Sequence, residues 1–327
     1  MHCCHFLIYH FWYLIASTFF DATSQPSLIV NMSHRSRLAH LSDIHLSFGL
    51  PEGSQWLSKC GLNGLSWLVR KRKRHLSSIA DLLQQDLIDS APDLIAVGGD
   101  LINFSTSQEF KAAQAWLQKL GTAEKVVTVP GNHEALTSGW KERSSLWGDY
   151  ASLGKEQAPI LRKEGVIGLI AVSTAVATPP FMASGKVGAE NIKAMGDLIA
   201  QAHSENLCPV VLMHHPPTHI TSRRKGLVDY KAVCQELGKR RPALVLHGHT
   251  HHAELSWINT SHDAIPVLGI PSFSLSRHDG QYSGAWRMIE VHKEKSDWII
   301  SVTERTLDEE NNLHSLAPLR FSQSLRQ

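Results

Sequence analysis

The sequence is short of cysteine, of net charge and of long apolar runs, and each shortage removes a class of protein. Its five cysteines are Cys3, Cys4, Cys60, Cys208 and Cys234. The number is odd and no C-x-x-C pair occurs. A disulfide scaffold and a cysteine-zinc site are therefore disfavoured, and a reducing, cytoplasmic setting is expected. A formal net charge of +2 is too small to attract a nucleic acid or a membrane by bulk electrostatics. One segment, residues 5–20, is apolar enough to suggest a signal or a membrane anchor. No Lys or Arg precedes it, and His5 and His10 interrupt it. Residues 1–34 are accordingly read as an N-terminal extension, disordered or ahead of a start at Met32, with membrane association through residues 5–20 as the alternative.

Histidine, by contrast, is abundant: twenty in all, several in tight clusters. Short runs rich in Val, Ile and Leu predict strands over 37–42, 93–97, 125–129, 166–172, 209–213 and 242–246, then 264–270, 285–291 and 297–303. Helical periodicity predicts helices over 74–89, 107–120, 189–202 and 229–237. In the first of these, Leu76, Ile79, Leu82, Leu83 and Leu87 share a face. Strands alternating with helices imply an α/β domain, and the late run of strands implies an added sheet layer. One domain over 35–305 is expected, followed by a polar tail over 306–327. The basic run Arg70-Lys71-Arg72-Lys73-Arg74 interrupts the alternation. It reads as a solvated face or as a cap over an anionic substrate.

Five of the predicted strands end in residues suited to metals. Asp43-Ile44-His45 follows the first, and residues two apart on an extended segment point the same way. Gly98-Gly99-Asp100 ends the second, where the glycines permit a tight turn. Asp100 could equally cap a short turn. Gly131-Asn132-His133-Glu134 follows the third. Asn132 offers a neutral carbonyl oxygen, and His133 can act as an acid without being a ligand. His214-His215-Pro216-Pro217 follows a fourth strand, and its adjacent histidines face opposite ways, so one alone is expected to ligate. His247-Gly248-His249-Thr250-His251-His252 follows a fifth, with His249 and His251 on one side.

In a parallel-rich sheet the carboxyl ends of strands line one rim, which gathers distant residues. Asp43, His45, Asp100, Asn132, His214, His249 and His251 exceed the roughly four ligands that one zinc needs. Mixed nitrogen and oxygen donors without thiolates suit two divalent cations such as Mn, Fe, Zn or Co. Two such ions about 3.5–4 Å apart make a clamp for in-line displacement at phosphorus.

The order D-x-H, G-D, G-N-H-E, H-x-P and G-H-x-H resembles the calcineurin-like metallophosphoesterase superfamily over about 38–252. Within it, the H-x-S-D-x-H start and the H-H-P-P segment are most similar to bacterial class III cyclic-nucleotide and glycerophosphodiester phosphodiesterases. The resemblance implies a double β-sheet sandwich flanked by helices, with two metals at one edge. It implies Asp43, His45 and His251 on the first metal, Asn132, His214 and His249 on the second, and Asp100 as the bridge. His214 rather than His215 stands two before the proline. A metal-bridging hydroxide would attack a small phosphodiester, such as 3′,5′-cyclic AMP, with His133 protonating the leaving oxygen. Gly99-Asp100-Leu101-Ile102-Asn103 lacks the Asp-Arg-Gly of protein phosphatases, and His133 stands where lipid A precursor hydrolases carry Arg.

Alternatives are a lipid-linked or nucleic-acid phosphoesterase of the same superfamily, although there is no strong nucleic-acid signal, and a catalytically silent metal-binding scaffold. Asn103 and His215 are weaker candidates for substrate binding, and Arg223, Arg224, Arg277 and His278 sit in loops that reach a phosphate or are plain surface. Nothing in the sequence specifies an oligomer, although 264–270 and 271–280 offer a candidate partner surface.

Overall fold

In the computed structural model, which describes residues 35–46, 75–151, 157–218, 221–261, 263–276 and 283–324, two β-sheets face each other. The first is built on β1 (Ser36–Leu41), β2 (Leu94–Val97) and β3 (Val126–Thr128), parallel and side by side. Antiparallel β10 (Ala285–Glu294) joins the free edge of β1, and β11 (Asp297–Leu307) folds back on β10. The second sheet has the order β4 (Ile160–Glu164), β5 (Ile167–Val172), β6 (Cys208–Met213), β7 (Leu244–His247), β9 (Ala264–Gly269), β8 (Glu254–Asn259). Its four inner strands are parallel and its two edge strands antiparallel.

The unbroken apolar runs of the central strands are explained by burial on both faces. Leu38, Leu94, Ala96, Leu169, Val210 and Leu246 point into the gap between the sheets, with Cys208 beside them. Their neighbours Ala39, Leu41, Ile95 and Val97 point outward against α1 (Ser77–Asp89) and α2 (Ser107–Leu120). Ile170, Val172, Val211 and Val245 point outward from the second sheet against α4 (Ala189–Ser204) and α5 (Tyr230–Arg240). A short α3 (Trp140–Ser144) sits between α2 and β4 in the chain. The result is a four-layer helix–sheet–sheet–helix sandwich, as the resemblance implies.

Helix α2 starts where Thr106 and Glu109 form a reciprocal capping box. Helix α1 buries Ile79, Leu83 and Leu87, but Leu76 and Leu82 are 38% and 39% exposed. The expected five-residue face is thus narrower: a helix laid on a sheet buries the i, i+4, i+8 line and leaves its flanks in water. The inner faces are not wholly apolar. His40, Arg287 and Glu304 stand in register on β1, β10 and β11, and all three are buried. Arg287 Nε donates to Glu304 Oε2 at 2.9 Å.

Two expectations need correction. The domain does not close near 305, because β12 (Leu313–Ser315) and β13 (Leu319–Ser324) both pair with the outer edge of β11. Phe321 of β13 packs against the inter-sheet core. The segment 264–270 is no partner surface: β9 lies between β7 and β8, and its side chains from Ile265 to Gly269 are buried. Residues 271–274 are buried as well. The apolar segment 5–20, the basic run 70–74, Arg277 and His278 lie outside the described residues. Among the described residues, no helix is long and apolar enough to cross a membrane.

Candidate metal centre

Three of the five motifs leave their strands through left-handed turns: Asp43, His45, Asp100, His249 and His251 have φ of 56°, 47°, 52°, 68° and 59°. This left-handed region costs a residue with a side chain about 1–3 kcal/mol and clusters at functional sites. Left-handed turns, rather than the two-residue alternation of an extended strand, therefore aim Asp43, His45, His249 and His251 into the site. Main-chain bonds hold the turns: Asp43 N–H donates to Gly99 O at 2.9 Å and His45 N–H to Asp100 O at 3.0 Å. His249 N–H donates to Asp43 Oδ2 at 2.9 Å, which ties a loop of the second sheet to one of the first. Gly131 and Gly248 permit the close approach. A Cβ on Gly131 would stand 2.2 Å from Asp100 Oδ1, and one on Gly248 2.4 Å from Asp43 Oδ2.

The predicted metal residues converge. His251 Nε2 lies 3.1 Å from Asp43 Oδ1 and 3.2 Å from His45 Nε2. His214 Nε2 lies 3.2 Å from Asn132 Oδ1 and 3.4 Å from Asp100 Oδ2. Donor atoms of Asp43, Asp100 and His214 lie within 4.8 Å of one another, as do those of His214, His215 and His249 and those of His45, Asp100 and His133. Asp100 thus belongs to both halves of the constellation. One further group, His45, His75 and His251, contains a histidine that the motifs missed. His75 follows no strand, and its partners are brought to it only by the fold.

Electrostatics prepare these side chains for cations. Burial alone would raise Asp43, but the His251 and His214 charges outweigh it and bring it down to about 2. Asp100 is likewise held well below the carboxylate range, with His214 and His133 overcoming its burial. Burial would lower His214, yet Asp100 and then Asp43 raise it to about 10. Burial, with the His214 charge next, takes His249 down to about 3, so its imidazole is neutral. Its Nε2 is buried without a hydrogen-bond partner. A neutral imidazole with a buried, unshared nitrogen beside ionised carboxylates is the donor set that a borderline divalent metal needs.

Supporting residues fix the donors. His214 Nδ1 donates to Gly98 O at 2.7 Å, which turns Nε2 toward Asn132 and Asp100. The buried Glu134 carboxylate accepts main-chain N–H groups from Gly131, Asp100, Leu101 and Ile102, joining the second and third motifs. The two weaker candidates for substrate binding are both buried. Asn103 is buried, its side-chain amide donates to Leu46 O at 2.7 Å, and its main-chain carbonyl faces His133 Nδ1 at 2.9 Å. His215 is buried with both ring nitrogens engaged, at Thr174 Oγ1 (2.7 Å) and Ala183 O (3.1 Å). Both brace the site from behind. Arg223 and Arg224 are exposed, and Arg223 lines a cavity of about 380 Å³ with Thr218, Tyr230 and Lys231.

The sequence profile of the calcineurin-like phosphoesterases matches residues 36–253, which contain all five motifs. The chain belongs to that family. It is a phosphoesterase, and the family implies a centre of two divalent metals, which the donors described above fit. A protein of Synechococcus described as a probable cyclic nucleotide phosphodiesterase is 23% identical over 218 residues, 64% of this chain and 76% of that one. A dimetal phosphatase from Danio rerio superposes with a TM-score of 0.58 at 12% identity, covering 86% of this chain and 98% of that one. A purple acid phosphatase from yellow lupin seeds gives 0.55 at 11% identity, over 89% of this chain and 54% of that one. Both share the sandwich.

Proposed function

We propose that this phosphoesterase is a phosphodiesterase acting on a small diester, with a 3′,5′-cyclic nucleotide as the leading class of substrate. In this reading Asp43, His45 and His251 hold one divalent cation, Asn132, His214 and His249 hold a second, and Asp100 bridges them. The observation that carries it is the Asp100 carboxylate, whose oxygens belong to donor groups on both sides. Bound cations supply Lewis-acid stabilisation of phosphoryl oxygens and lower the pKa of a coordinated water. Nitrogen and oxygen donors without thiolate favour Mn, Fe, Zn or Co. The likeness to the Synechococcus protein supports the cyclic-nucleotide class.

His133 is the chain's own acid in this scheme. Its Nδ1 faces the Asn103 carbonyl, which can only accept, so Nδ1 carries a hydrogen. The acid is therefore the imidazolium form, which gives its Nε2 proton to the leaving oxygen and keeps the hydrogen on Nδ1. The ring stands 4.8 Å from that of His45, centroid to centroid, beside the first group of donors. The main-chain carbonyl of Asn103 positions the ring. His133 N–H also donates to Asp100 Oδ1 at 2.8 Å, so the acid and the bridging carboxylate move together.

The test is hydrolysis of bis(p-nitrophenyl) phosphate and of cyclic AMP by chain stripped of metal and reloaded separately with Mn, Fe, Zn or Co. His133→Ala should lose at least about a hundredfold in kcat, the usual scale of general acid catalysis, while keeping its metal content. Loaded protein that turns over neither diesters nor a panel of monoesters would defeat the proposal. Turnover of monoesters alone would defeat the diester part of it.

A further inference from the structure

His75 belongs to none of the five strand-end motifs, yet it stands among the donors. Its ring centroid is 4.7 Å from that of His45, inclined at 60°, and 5.6 Å from that of His251, inclined at 84°. One ring nitrogen from each of the three lies within 4.8 Å of the other two. His75 is 8% exposed. Its backbone is pinned opposite Leu275 by an isolated β-bridge, and Leu76 N–H donates to Ser274 O at 2.9 Å.

The hydrogen-bond network fixes which nitrogen carries the hydrogen. Ser272 Oγ lies 2.6 Å from Asp43 O and 3.1 Å from His75 Nδ1. A carbonyl only accepts, so the single hydroxyl hydrogen of Ser272 is spent on Asp43. Toward His75, Ser272 can only accept, and Nδ1 must donate. Ser274 Oγ, 2.9 Å from the same Nδ1, holds the ring in that orientation. Neutral His75 therefore carries its lone pair on Nε2. This is the usual arrangement of a metal-ligating histidine, whose second nitrogen donates to an oxygen behind it. The same Ser272 that orients His75 also holds the main chain of Asp43.

Three imidazole nitrogens converge beside the Asp43 carboxylate, an arrangement that a cation would hold together. We propose that His75, through Nε2, is an additional protein ligand of the first cation, beside Asp43, His45 and His251. The inference rests on the two-cation reading above. It makes the centre unequal: three imidazoles face the first cation, whereas two imidazoles and an amide oxygen face the second. Imidazole-rich sites suit Zn, Fe or Co, and oxygen-rich sites suit Mn. The first position should accordingly select the nitrogen-loving metal.

The experiment uses the full chain, stripped with a chelator and titrated with Co²⁺ by calorimetry and visible absorption. Wild-type protein should take up two ions. His75→Ala should weaken one binding step at least about tenfold, leave the other unchanged, and alter the intensity of the Co²⁺ bands as one ligand is lost. Ser274→Ala, which retains the imidazole, should show the same step weakened by a smaller factor. Should His75→Ala fail to fold, His75→Gln keeps the volume and must show the same selective loss. Wild-type protein that binds no pair of ions would fail the two-cation reading itself. Wild-type protein that binds two, with both steps and the spectrum unchanged in the His75 variants, would overturn the ligand assignment whatever happens to turnover.

Discussion

Replacing Glu134 by alanine should destabilise the fold strongly although it removes no candidate ligand. The buried carboxylate receives N–H groups from Gly131 at 2.6 Å, Leu101 at 2.8 Å, Asp100 at 2.9 Å and Ile102 at 3.2 Å. A buried donor left without an acceptor costs about 1–3 kcal/mol, so four of them cost about 4 kcal/mol at the least. Local relaxation and entry of water keep the expected loss to about 3–5 kcal/mol, near the upper end for single substitutions. Against a domain stability of about 5–15 kcal/mol, a urea titration followed by circular dichroism resolves this easily. Glu134→Gln keeps one carbonyl oxygen but turns an NH₂ toward the other donors, and should fall between alanine and wild type.

The same carboxyl predicts a pH effect. Burial, then the Asp100 charge, push Glu134 up to about 8, against the opposing N–H donors. A carboxyl raised in the folded state favours the fold most below its unfolded value of 4.5, and that contribution is lost as pH climbs toward about 8. Cations held at Asp100 would cancel the second cause. Metal-free chain should therefore lose stability over this range more steeply than loaded chain. An alanine variant within about 1 kcal/mol of wild type, or a glutamine variant as weak as alanine, would refute the reasoning.

Other expectations are as direct. Glu304→Ala leaves Arg287 charged in the inter-sheet core and should cost about 3–5 kcal/mol in urea unfolding, whereas the double replacement Arg287→Met with Glu304→Leu should recover most of it; equal losses in the single and double variants would contradict this. Metal-free His214, raised to about 10, carries a proton at neutral pH that a cation must displace. Calorimetry in buffers of differing ionisation enthalpy should detect release of about one proton, and none would count against His214 as a ligand. In the metal-free chain the His214–Asp100 attraction contributes fully below pH 6.5 and fades as pH rises through about 10, so His214→Ala should cost less stability at high pH than at low pH.

The chemistry of the site was legible because each donor pair is packed into a few consecutive residues after a strand. Its geometry was not. Asp43 and His45 reach the site through left-handed turns, held by a hydrogen bond from Asp43 to Gly99, 56 positions away, and another from His45 to Asp100. Asn103 and His215 read as weaker candidates for substrate binding, but their burial is decided by what packs on them, Thr174 and Ala183 for His215. His75 gave no local signal, since Ser272, Ser274 and His45 reach it only in the folded chain. The missed strands were β4, β8, β12 and β13, all at sheet edges. Edges carry charged side chains such as Arg162, Lys163 and Glu164, which guard against stray pairing and erase the apolar run that marks a central strand.

The candidate donors are divided between the sheets: Asp43, His45, Asp100 and Asn132 hang from the first, His214, His249 and His251 from the second. A chain that has built one layer without docking the other offers only part of either set, and tight chelation is denied to it. Cation uptake by these donors would thereby inspect assembly, since only correctly mated halves would be rewarded, and the ions would then rivet the seam. Starving such a protein of metal would loosen its architecture as well as idle its chemistry.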